Sequence, residues 1–524
     1  MGKRIRFLAI VLVLCLATMS LCACGAAAPE GPKELWIVTE QSTWDRMNGQ
    51  LEVLKEAYEQ EHDGVTIRVD CLPVSAQERD VYLQQLRTEI LRGGGPDCYL
   101  LPTGNTLILD EPVADTYVQI DPLFPDVELA MRNGLFSDVT AYYDADDDLD
   151  KDGLNQTIMD AGVLDGVRYV LPLRYDMPVI IALDEALEAA GLDPAILTQD
   201  LCTIMEAVLR TGDPLLVCGL LYEGYSAFSG FIDYRSGNAA LDTDTLRRYL
   251  EDYQQLTALL GTDYLDLDRI DPGERSVLQP PEGTTVLENL DAEKFIQCEY
   301  EEADADTAYV PLWIGSMQDV FDYVTCAGYA DAALTVTPLR SIGSGEVVAT
   351  VTYYAAVGSG CGDPALAYDF LRQFLLEDSQ WEQNRPKRKH TRPVKGTASN
   401  TSNDLQVRGL IENGWPVRDE VSFNTLWNVR RMQLYVREYL DQFNPTPVEI
   451  RRRMRRIGLM FIADEDAPSF RVPIGQVRFN TTMSDVLADA LAQLNDAENA
   501  PVPTDLNKLA QQLIWELRWH VSEG

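Results

Sequence analysis

The amino-acid sequence predicts an α/β protein built on a parallel sheet with helices on both faces. Short β-rich runs alternate with segments of helical period, which is the pattern of strand–helix–strand units. Glycine and proline clusters separate these runs. The chain has 524 residues, of which 46% are hydrophobic, so it can bury large cores and is expected to form two domains.

The first part of the mature chain gives the clearest alternation. Its predicted strands lie at residues 34–39, 65–69 and 98–101, and its predicted helices at 51–58 and 83–90. In the first helix Leu51, Leu54 and Tyr58 recur at helical spacing. Polar residues that follow the strand ends, such as 40–45 and 102–105, lie where folds of this class bind ligands.

The same pattern continues to the carboxyl end. Further strands are predicted at residues 166–172, 179–183, 334–338 and 347–357. Further helices are predicted up to Gly191 and around residues 366–374, 486–494 and 506–517. Cys98 and Cys202 lie inside apolar runs and are predicted to be small core residues.

The amino end carries an export signal in three parts. Lys3, Arg4 and Arg6 are basic, residues 7–16 are apolar, and small residues lead to Cys24. The sequence Leu21-Cys22-Ala23-Cys24 resembles the lipobox of bacterial lipoproteins. We therefore expect a signal peptide at 1–23, a lipidated Cys24, a flexible tether at 24–33, and anchoring at the extracellular face of the cell membrane. The alternative is an ordinary signal peptide in which Cys24 is incidental.

Charge excludes several partners. The formal net charge is -40, which repels nucleic acid and anionic lipid. Two basic clusters, 385–392 and 451–456, oppose this trend, and we interpret them as solvated faces rather than docking patches.

Motifs of enzymes and metal sites are missing from the sequence. It contains no HExxH, GxSxG, phosphate-binding GxxxxGK[ST], or GxGxxG after a strand. Residues 148–153 match the first half of a calcium loop, but Met159 stands where a bidentate Glu is needed. We expect an acidic surface loop there, and a protein without catalytic residues, cofactor or metal.

Several segments together resemble one family. They are 35–58, 86–101, 136–139, 165–172, 231–242, 366–375 and 414–418, and they occur in the family's order. The chain resembles the extracellular solute-binding proteins of ABC importers, in the cluster that contains maltose-binding protein.

This resemblance implies a fold, a mechanism and partners. The implied fold is the type II periplasmic-binding-protein fold, in which two α/β lobes are joined by hinge crossings and close on a solute. The lobes would comprise 34–141 with 331–376, and 142–330 with 377–524. The implied ligand is a sugar or oligosaccharide, the implied partner is an ABC permease in the membrane, and we expect a monomer.

The resemblance also implies ligand residues. Residues 307–320 resemble the segment whose tryptophan stacks on the sugar, which indicates Trp313. Trp313 follows a β-like run at 308–310, so we expect it where a strand gives way to a loop. Asp176 matches the place of a carboxylate that binds sugar hydroxyls. Glu40 and Trp44 are candidate ligand residues at the two ends of a matching polar loop. Tyr225 completes the candidates. The competing interpretations are a core position for Trp313 and a solvated charge for Asp176.

Two departures from the family pattern leave the solute open. Leu101 replaces a stacking aromatic, and Ala182-Leu183 replace a Tyr-Asn pair, so the maltose site is not reproduced. Two other functions therefore remain as alternatives. One is a polysaccharide-processing enzyme with two cleft carboxylates, and the other is a sensory or scaffold lipoprotein without a transport role.

Overall fold

The structure is a computed structural model. It describes residues 33–40, 50–73, 75–103, 106–109, 117–120, 122–213, 216–217, 220, 232–233, 238–239, 242–260, 311–315, 320, 333–342, 345–376, 415–418, 457–459, 474–479 and 505–523. Several predictions lie outside these residues: those for Cys24, Trp44, Tyr225, the two basic clusters and the helix at 486–494.

Strands and helices alternate through the described residues. The strands are β1 (Lys33–Glu40), β2 (Val65–Leu72), β3 (Cys98–Pro102), β4 (Thr106–Leu109), β5 (Tyr117–Ile120), β6 (Val163–Leu164), β7 (Val167–Arg168), β8 (Val170–Asp176), β9 (Val179–Leu183), β10 (Ile232–Asp233), β11 (Asn238–Ala239), β12 (Leu312–Gly315), β13 (Leu334–Pro338), β14 (Val347–Val357), β15 (Trp415–Pro416), β16 (Ile457–Leu459) and β17 (Ile474–Arg478). The α-helices are α1 (Gln50–Glu61), α2 (Ala76–Leu91), α3 (Val127–Arg132), α4 (Thr140–Ala145), α5 (Gln156–Met159), α6 (Asp184–Ala189), α7 (Leu201–Thr211), α8 (Thr243–Leu260), α9 (Pro364–Leu371) and α10 (Leu506–Glu523). Short 3₁₀ turns lie at Asp160–Gly162, Pro194–Thr198 and Arg372–Leu375.

The first sheet has the strand order β15-β8-β14-β3-β1-β2, and β17 also pairs with β14. Its β1, β2 and β3 are parallel, as the sequence predicts. However, β14 enters antiparallel between β3 and β8, so the sheet is mixed. The difference arises because β14 reaches this place from more than two hundred residues away, and local sequence carries no information about strand direction.

The second sheet has the strand order β12-β9-β13-β16. Its central strand β9 is antiparallel to both neighbours, and all five of its residues are buried. The observed bounds of β9, β13 and β14 coincide with the predicted ones. With helices flanking the sheets, the predicted α/β class is confirmed.

Two short segments connect the sheets. Met177 and Pro178 lead from β8 to β9, and residues 339–346 lead from β13 to β14. They meet where the amide of Leu339 donates a 2.8 Å hydrogen bond to the carbonyl of Pro178. In the described residues β8 pairs within the first sheet and β13 within the second. The lobe boundaries remain predictions.

The core of the first sheet contains an aromatic cluster. Edge-to-face contacts link Tyr99, Phe124, Phe136, Tyr354 and Phe479, with ring centroids 5.1–6.4 Å apart. Such contacts add to the burial of large apolar rings. The predicted core positions of Cys98 and Cys202 are confirmed, since both are fully buried.

Three helices pack together beyond the second sheet. Helix α8 contacts both α7 and α10. Asp200 begins α7 by accepting the amide of Thr203, and Gly212 ends it in a left-handed conformation with φ 68°. Within the residues that the structure describes, no helix has the length and apolarity needed to cross a membrane.

Candidate functional site

The carboxyl ends of four strands gather at one edge of the first sheet. Strands β1, β2 and β3 are parallel, and β8 runs the same way because both β3 and β8 are antiparallel to β14. This edge therefore carries the last residues of these strands: Glu40, Leu72, Pro102 and Asp176. Ligands of α/β folds commonly bind outside such an edge.

The second sheet meets this edge through the crossings. Val179 begins β9 directly after the first crossing, and it pairs with Gly315 of β12 and Pro338 of β13. We use the name sheet junction for three parts together. They are the strand-end edge of the first sheet, the edge of the second sheet at Val179, and residues 177–178 and 339–346, which connect them. It is the candidate site, since a ligand held there would touch both sheets.

Asp176 lies at the sheet junction, as its predicted role requires. It is the last residue of β8 and is half-buried. Its Oδ1 accepts a 2.8 Å hydrogen bond from the amide of Met177, the first residue of the crossing. The carboxylate is thus held at the point where the chain passes from one sheet to the other. It is half-buried and hydrogen-bonded to the backbone, whereas a freely solvated charge would be neither.

Trp313 lies near the sheet junction but within a strand. It was predicted at the point where a strand gives way to a loop, whereas it is the second residue of edge strand β12 and pairs with Ile181. It stands two residues, about 7 Å, from the edge at Gly315. Its neighbours Leu312 and Ile314 are fully buried, so the half-buried Trp313 ring lies on the opposite face of the strand.

Glu40 is held in a buried ion pair. Its two carboxylate oxygens accept hydrogen bonds of 2.5 and 2.9 Å from Arg79 of α2, and both side chains are 2% exposed. Burial raises the pKa of the Glu40 carboxyl, while the hydrogen bond and charge of Arg79 oppose that rise. The ion pair gives Glu40 a structural role in the described part of the chain, and its role as a ligand residue remains a prediction.

Arg79 also connects two strand ends. Its Nη1 donates a 3.1 Å hydrogen bond to the carbonyl of Pro73, directly after β2. The guanidinium therefore holds the end of β1 and the end of β2 in place beside the sheet junction. The sequence gives no signal for this pairing, because Arg79 lies on a helix 39 positions after its partner.

A second buried cation lies near the end of β8. Arg174 is 6% exposed and pairs across the sheet with Tyr353 of β14, which in turn pairs with Pro102. Burial lowers the pKa of the Arg174 guanidinium to about 10, while Tyr353 opposes this effect. The Tyr353 hydroxyl is buried without a hydrogen-bond partner. Sequence reasoning missed Arg174, since a single arginine in an apolar strand does not indicate a site.

The positions that depart from the family pattern are core residues. Leu101, Ala182 and Leu183 are 0–3% exposed, so they contribute apolar packing. In the acidic loop at 148–153, Asp150 accepts the amide of Gly153 and pairs with Arg418 at 3.3 Å. In the described part of the chain, no group of three or more His, Cys, Asp or Glu side chains could hold a metal.

Comparisons with known proteins give likenesses only among solved structures. No family model and no curated protein matches the chain. An extracellular solute-binding protein family 1 from Alicyclobacillus acidocaldarius is 11% identical with a TM-score of 0.46, covering 94% of this chain and 100% of its own. The cyclic alpha-maltosyl-1,6-maltose binding protein from Arthrobacter globiformis is 14% identical with a TM-score of 0.44, covering 94% and 100%.

A de novo designed cysteine esterase is also similar, at 10% identity and a TM-score of 0.49, with 94% of this chain and 98% of its own covered. Identities and scores of this size do not establish a shared function. Solved structures similar to this chain over most of its length thus include an extracellular solute-binding protein, a periplasmic solute-binding protein and a maltose-derivative binding protein.

Proposed function

We propose that this protein is the substrate-binding lipoprotein of an ABC transporter. It captures an extracellular carbohydrate at the sheet junction, by closing two lobes around it, and delivers it to a membrane permease. Each lobe is centred on one of the two sheets. The protein binds and releases the carbohydrate without chemical change.

The observation that carries this proposal is the pair of adjacent crossings. Only Met177 and Pro178 separate β8 from β9, and the second crossing is hydrogen-bonded to them through Leu339. Two connections that are hydrogen-bonded to each other favour rotation of one sheet relative to the other about a single hinge axis. Hinge closure of this kind buries most of a small ligand between the moving parts.

The side chains at the sheet junction suit a sugar. The half-buried indole of Trp313 offers a flat apolar face on the second sheet, and the carboxylate of Asp176 offers hydroxyl acceptors at the end of the first. A sugar has an apolar ring face and hydroxyl donors. When closure removes water, the apolar face needs a ring to pack against and the hydroxyls need hydrogen-bond acceptors.

Replacing Trp313 by alanine is expected to weaken sugar binding by about 1–3 kcal/mol, the scale of an aromatic stack. This is roughly a tenfold to hundredfold higher dissociation constant. A thermal-shift panel of gluco-, manno- and xylo-oligosaccharides identifies the ligand, and calorimetric titration then measures affinity. Small-angle scattering is expected to show a smaller radius of gyration with the ligand bound.

Trp36→Ala is the matched control, because Trp36 is also half-buried but lies in β1, four residues before the junction edge. It should lose stability to a similar degree and keep its affinity. If Trp313→Ala unfolds more readily while its folded fraction binds normally, the residue belongs to the core. Conversion of the oligosaccharide to product would support the enzyme alternative, and no binding across the panel would support the scaffold alternative.

The lipid anchor is a separate part of the proposal. If Cys24 carries the lipid, a metabolically incorporated fatty-acid probe should label the wild-type protein and leave Cys24→Ala unlabelled. Cys22→Ala is the control, since Cys22 would leave with the signal peptide. Equal labelling of wild type and Cys24→Ala would contradict the lipobox interpretation and leave the sugar-binding proposal intact.

A further inference from the structure

The side chain of Arg340 fastens the second crossing, residues 339–346, to the second lobe. Its Nε donates a 2.9 Å hydrogen bond to the carbonyl of Thr198, which ends the 3₁₀ turn at Pro194–Thr198. The backbone of Arg340 also forms a parallel bridge with Asp200, the residue that begins α7. Helices α6 and α7 and strand β13 all contact this turn, so both partners of Arg340 belong to the part of the chain that surrounds the second sheet.

The same guanidinium also holds the far end of the crossing. Its Nη1 donates a 2.8 Å hydrogen bond to the carbonyl of Gly345. The amide of Ser341 donates to the carbonyl of Glu346 at 2.8 Å, and the amide of Gly345 donates to the carbonyl of Ser341 at 3.0 Å. Arg340 and Val347 form an antiparallel bridge beside these bonds. The two ends of the crossing are therefore joined to each other, and Arg340 connects both of them to the second lobe.

The pairing of the strands indicates where the two crossings bend. The bond from the Leu339 amide to the Pro178 carbonyl continues the ladder between β9 and β13, so Pro178 lies on the side of the second lobe. On the first crossing this leaves Met177 between the two sheets. On the second crossing the register of β14 on β17 shifts between Val347 and Val348. Such a bulge interrupts a ladder and bends a strand. The bending points of these crossings are therefore Met177 and the bulge.

An arginine suits this place through its shape and its charge. Its planar guanidinium carries donors in a fixed fork, so one side chain can reach two carbonyls in different directions. Hydrogen bonds from an ionised donor are stronger than those between neutral groups. Arg340 is half-buried and its chain neighbours Leu339 and Ser341 are buried, so these bonds are partly shielded from water. Loss of the guanidinium would release the crossing from both carbonyls at once.

We propose that Arg340 is a positioning residue for lobe closure. It makes the second crossing part of the second lobe, so that the lobes rotate about Met177 and the bulge at Val347 and Val348. Without Arg340 the second crossing itself would flex, and the lobes would sample a wider range of orientations. This inference rests on the proposed two-lobe function and adds the residue that sets where the hinge bends. It requires no contact between Arg340 and the solute.

The test compares wild type with Arg340→Ala in the absence of any ligand. Spin labels are placed through a ketone-bearing amino acid at Val53, which is 63% exposed on α1, and at Glu188, which is exposed on α6, so that native cysteines stay unlabelled. Pulsed electron resonance then gives the distribution of distances between the lobes. We expect a narrow distribution for wild type and a broader one for the variant.

Hydrogen exchange tests the fastening itself. The amides of Leu339 and Ser341 should exchange about tenfold faster in Arg340→Ala, the change that follows from losing about 1.4 kcal/mol of hydrogen bonding to a charged group. Arg340→Lys keeps the charge and the apolar stem but cannot reach both carbonyls. It should also broaden the distance distribution, and it serves as the second variant if Arg340→Ala folds poorly.

Arg87→Ala is the matched control. Arg87 is also half-buried, and its guanidinium donates hydrogen bonds of 3.0 and 2.8 Å to the carbonyls of Leu123 and Pro122, away from the crossings. Its loss should lower stability to a similar degree and leave the distance distribution as in wild type. Equal widths for wild type and both Arg340 variants, or the same broadening in Arg87→Ala, would overturn the positioning role.

These measurements do not depend on the identity of the solute. A wild-type protein that binds no oligosaccharide would contradict the proposed function, while the ligand-free widths would still decide the role of Arg340. A wild-type protein that closes on its solute, with widths unchanged in the Arg340 variants, would keep the proposed function and remove this inference.

Discussion

Replacing Glu40 by glutamine is expected to destabilise the fold by about 3–5 kcal/mol, because it leaves the buried guanidinium of Arg79 without its counter-charge. The pair is 2% exposed on both sides and is bonded through two hydrogen bonds. Water therefore cannot replace the lost carboxylate. Guanidinium denaturation at neutral pH measures the change.

Two further variants test the physical cause. The double variant Glu40→Leu/Arg79→Met removes both charges and should recover most of the loss, since an apolar pair of similar volume needs no counter-ion. Asp70→Asn breaks the exposed pair between Arg68 and Asp70, whose side chains are 45% and 34% exposed, and should cost about 0–1 kcal/mol. An equally small cost for Glu40→Gln would contradict the buried-pair explanation.

The same variants decide whether Glu40 also binds solute. If its role is only structural, the folded fraction of the double variant should bind the oligosaccharide with wild-type affinity. A large loss of affinity with stability restored would return Glu40 to the ligand site.

Replacing Asp252 by asparagine is expected to stabilise the protein at pH 7.5 by up to about 3 kcal/mol. Asp252 lies on α8, is 6% exposed, and its Oδ2 lacks a hydrogen-bond partner. Burial, with the charge of Glu206, raises the pKa of the Asp252 carboxyl from 3.8 to about 6, and Arg248 opposes the rise. Ionisation of this carboxyl therefore costs more in the folded than in the unfolded chain.

The sign of the pH dependence follows from this raised pKa. Protons bind Asp252 more tightly in the folded state, so its contribution to stability is greatest below about pH 4 and is lost as pH rises through about 6. The stability difference between Asp252→Asn and wild type should grow over this interval and stay constant above it. Glu188→Gln, which removes an exposed carboxylate, is the control for the loss of one surface charge. A difference for Asp252→Asn that does not depend on pH would contradict the raised pKa.

The predicted strands and helices that fall in the described residues are present, but many short strands and the helices α3, α4, α5, α7 and α8 were not predicted. The bounds of β9, β13 and β14 could be placed because each is an apolar run that ends at a turn or a charged residue. Leu51, Leu54 and Tyr58 are spaced three and four residues apart, which places them on one face of a helix and located α1. Leu51 and Tyr58 are buried. These features depend on neighbours within a few residues.

The candidate site was predicted only in part. Asp176 was indicated by the resemblance alone, and the structure places it at the end of β8, four residues beyond the predicted end of that strand. Trp313 was expected at a strand end, but it lies inside the short strand β12, because Pro311 delays the start of that strand relative to the β-like run before it. Its role as a ligand residue remains a prediction.

The sequence alone determined the α/β class, the order of the elements, and the apolar runs that become sheet. Only the tertiary structure decided the direction of β14, the sheets in which β8 and β13 pair, and the partner of Glu40. These depend on contacts between residues from 39 to more than two hundred positions apart. Such contacts are selected by the packing of the whole chain, where a buried charge must meet its counter-charge and each strand must find an edge that satisfies its backbone.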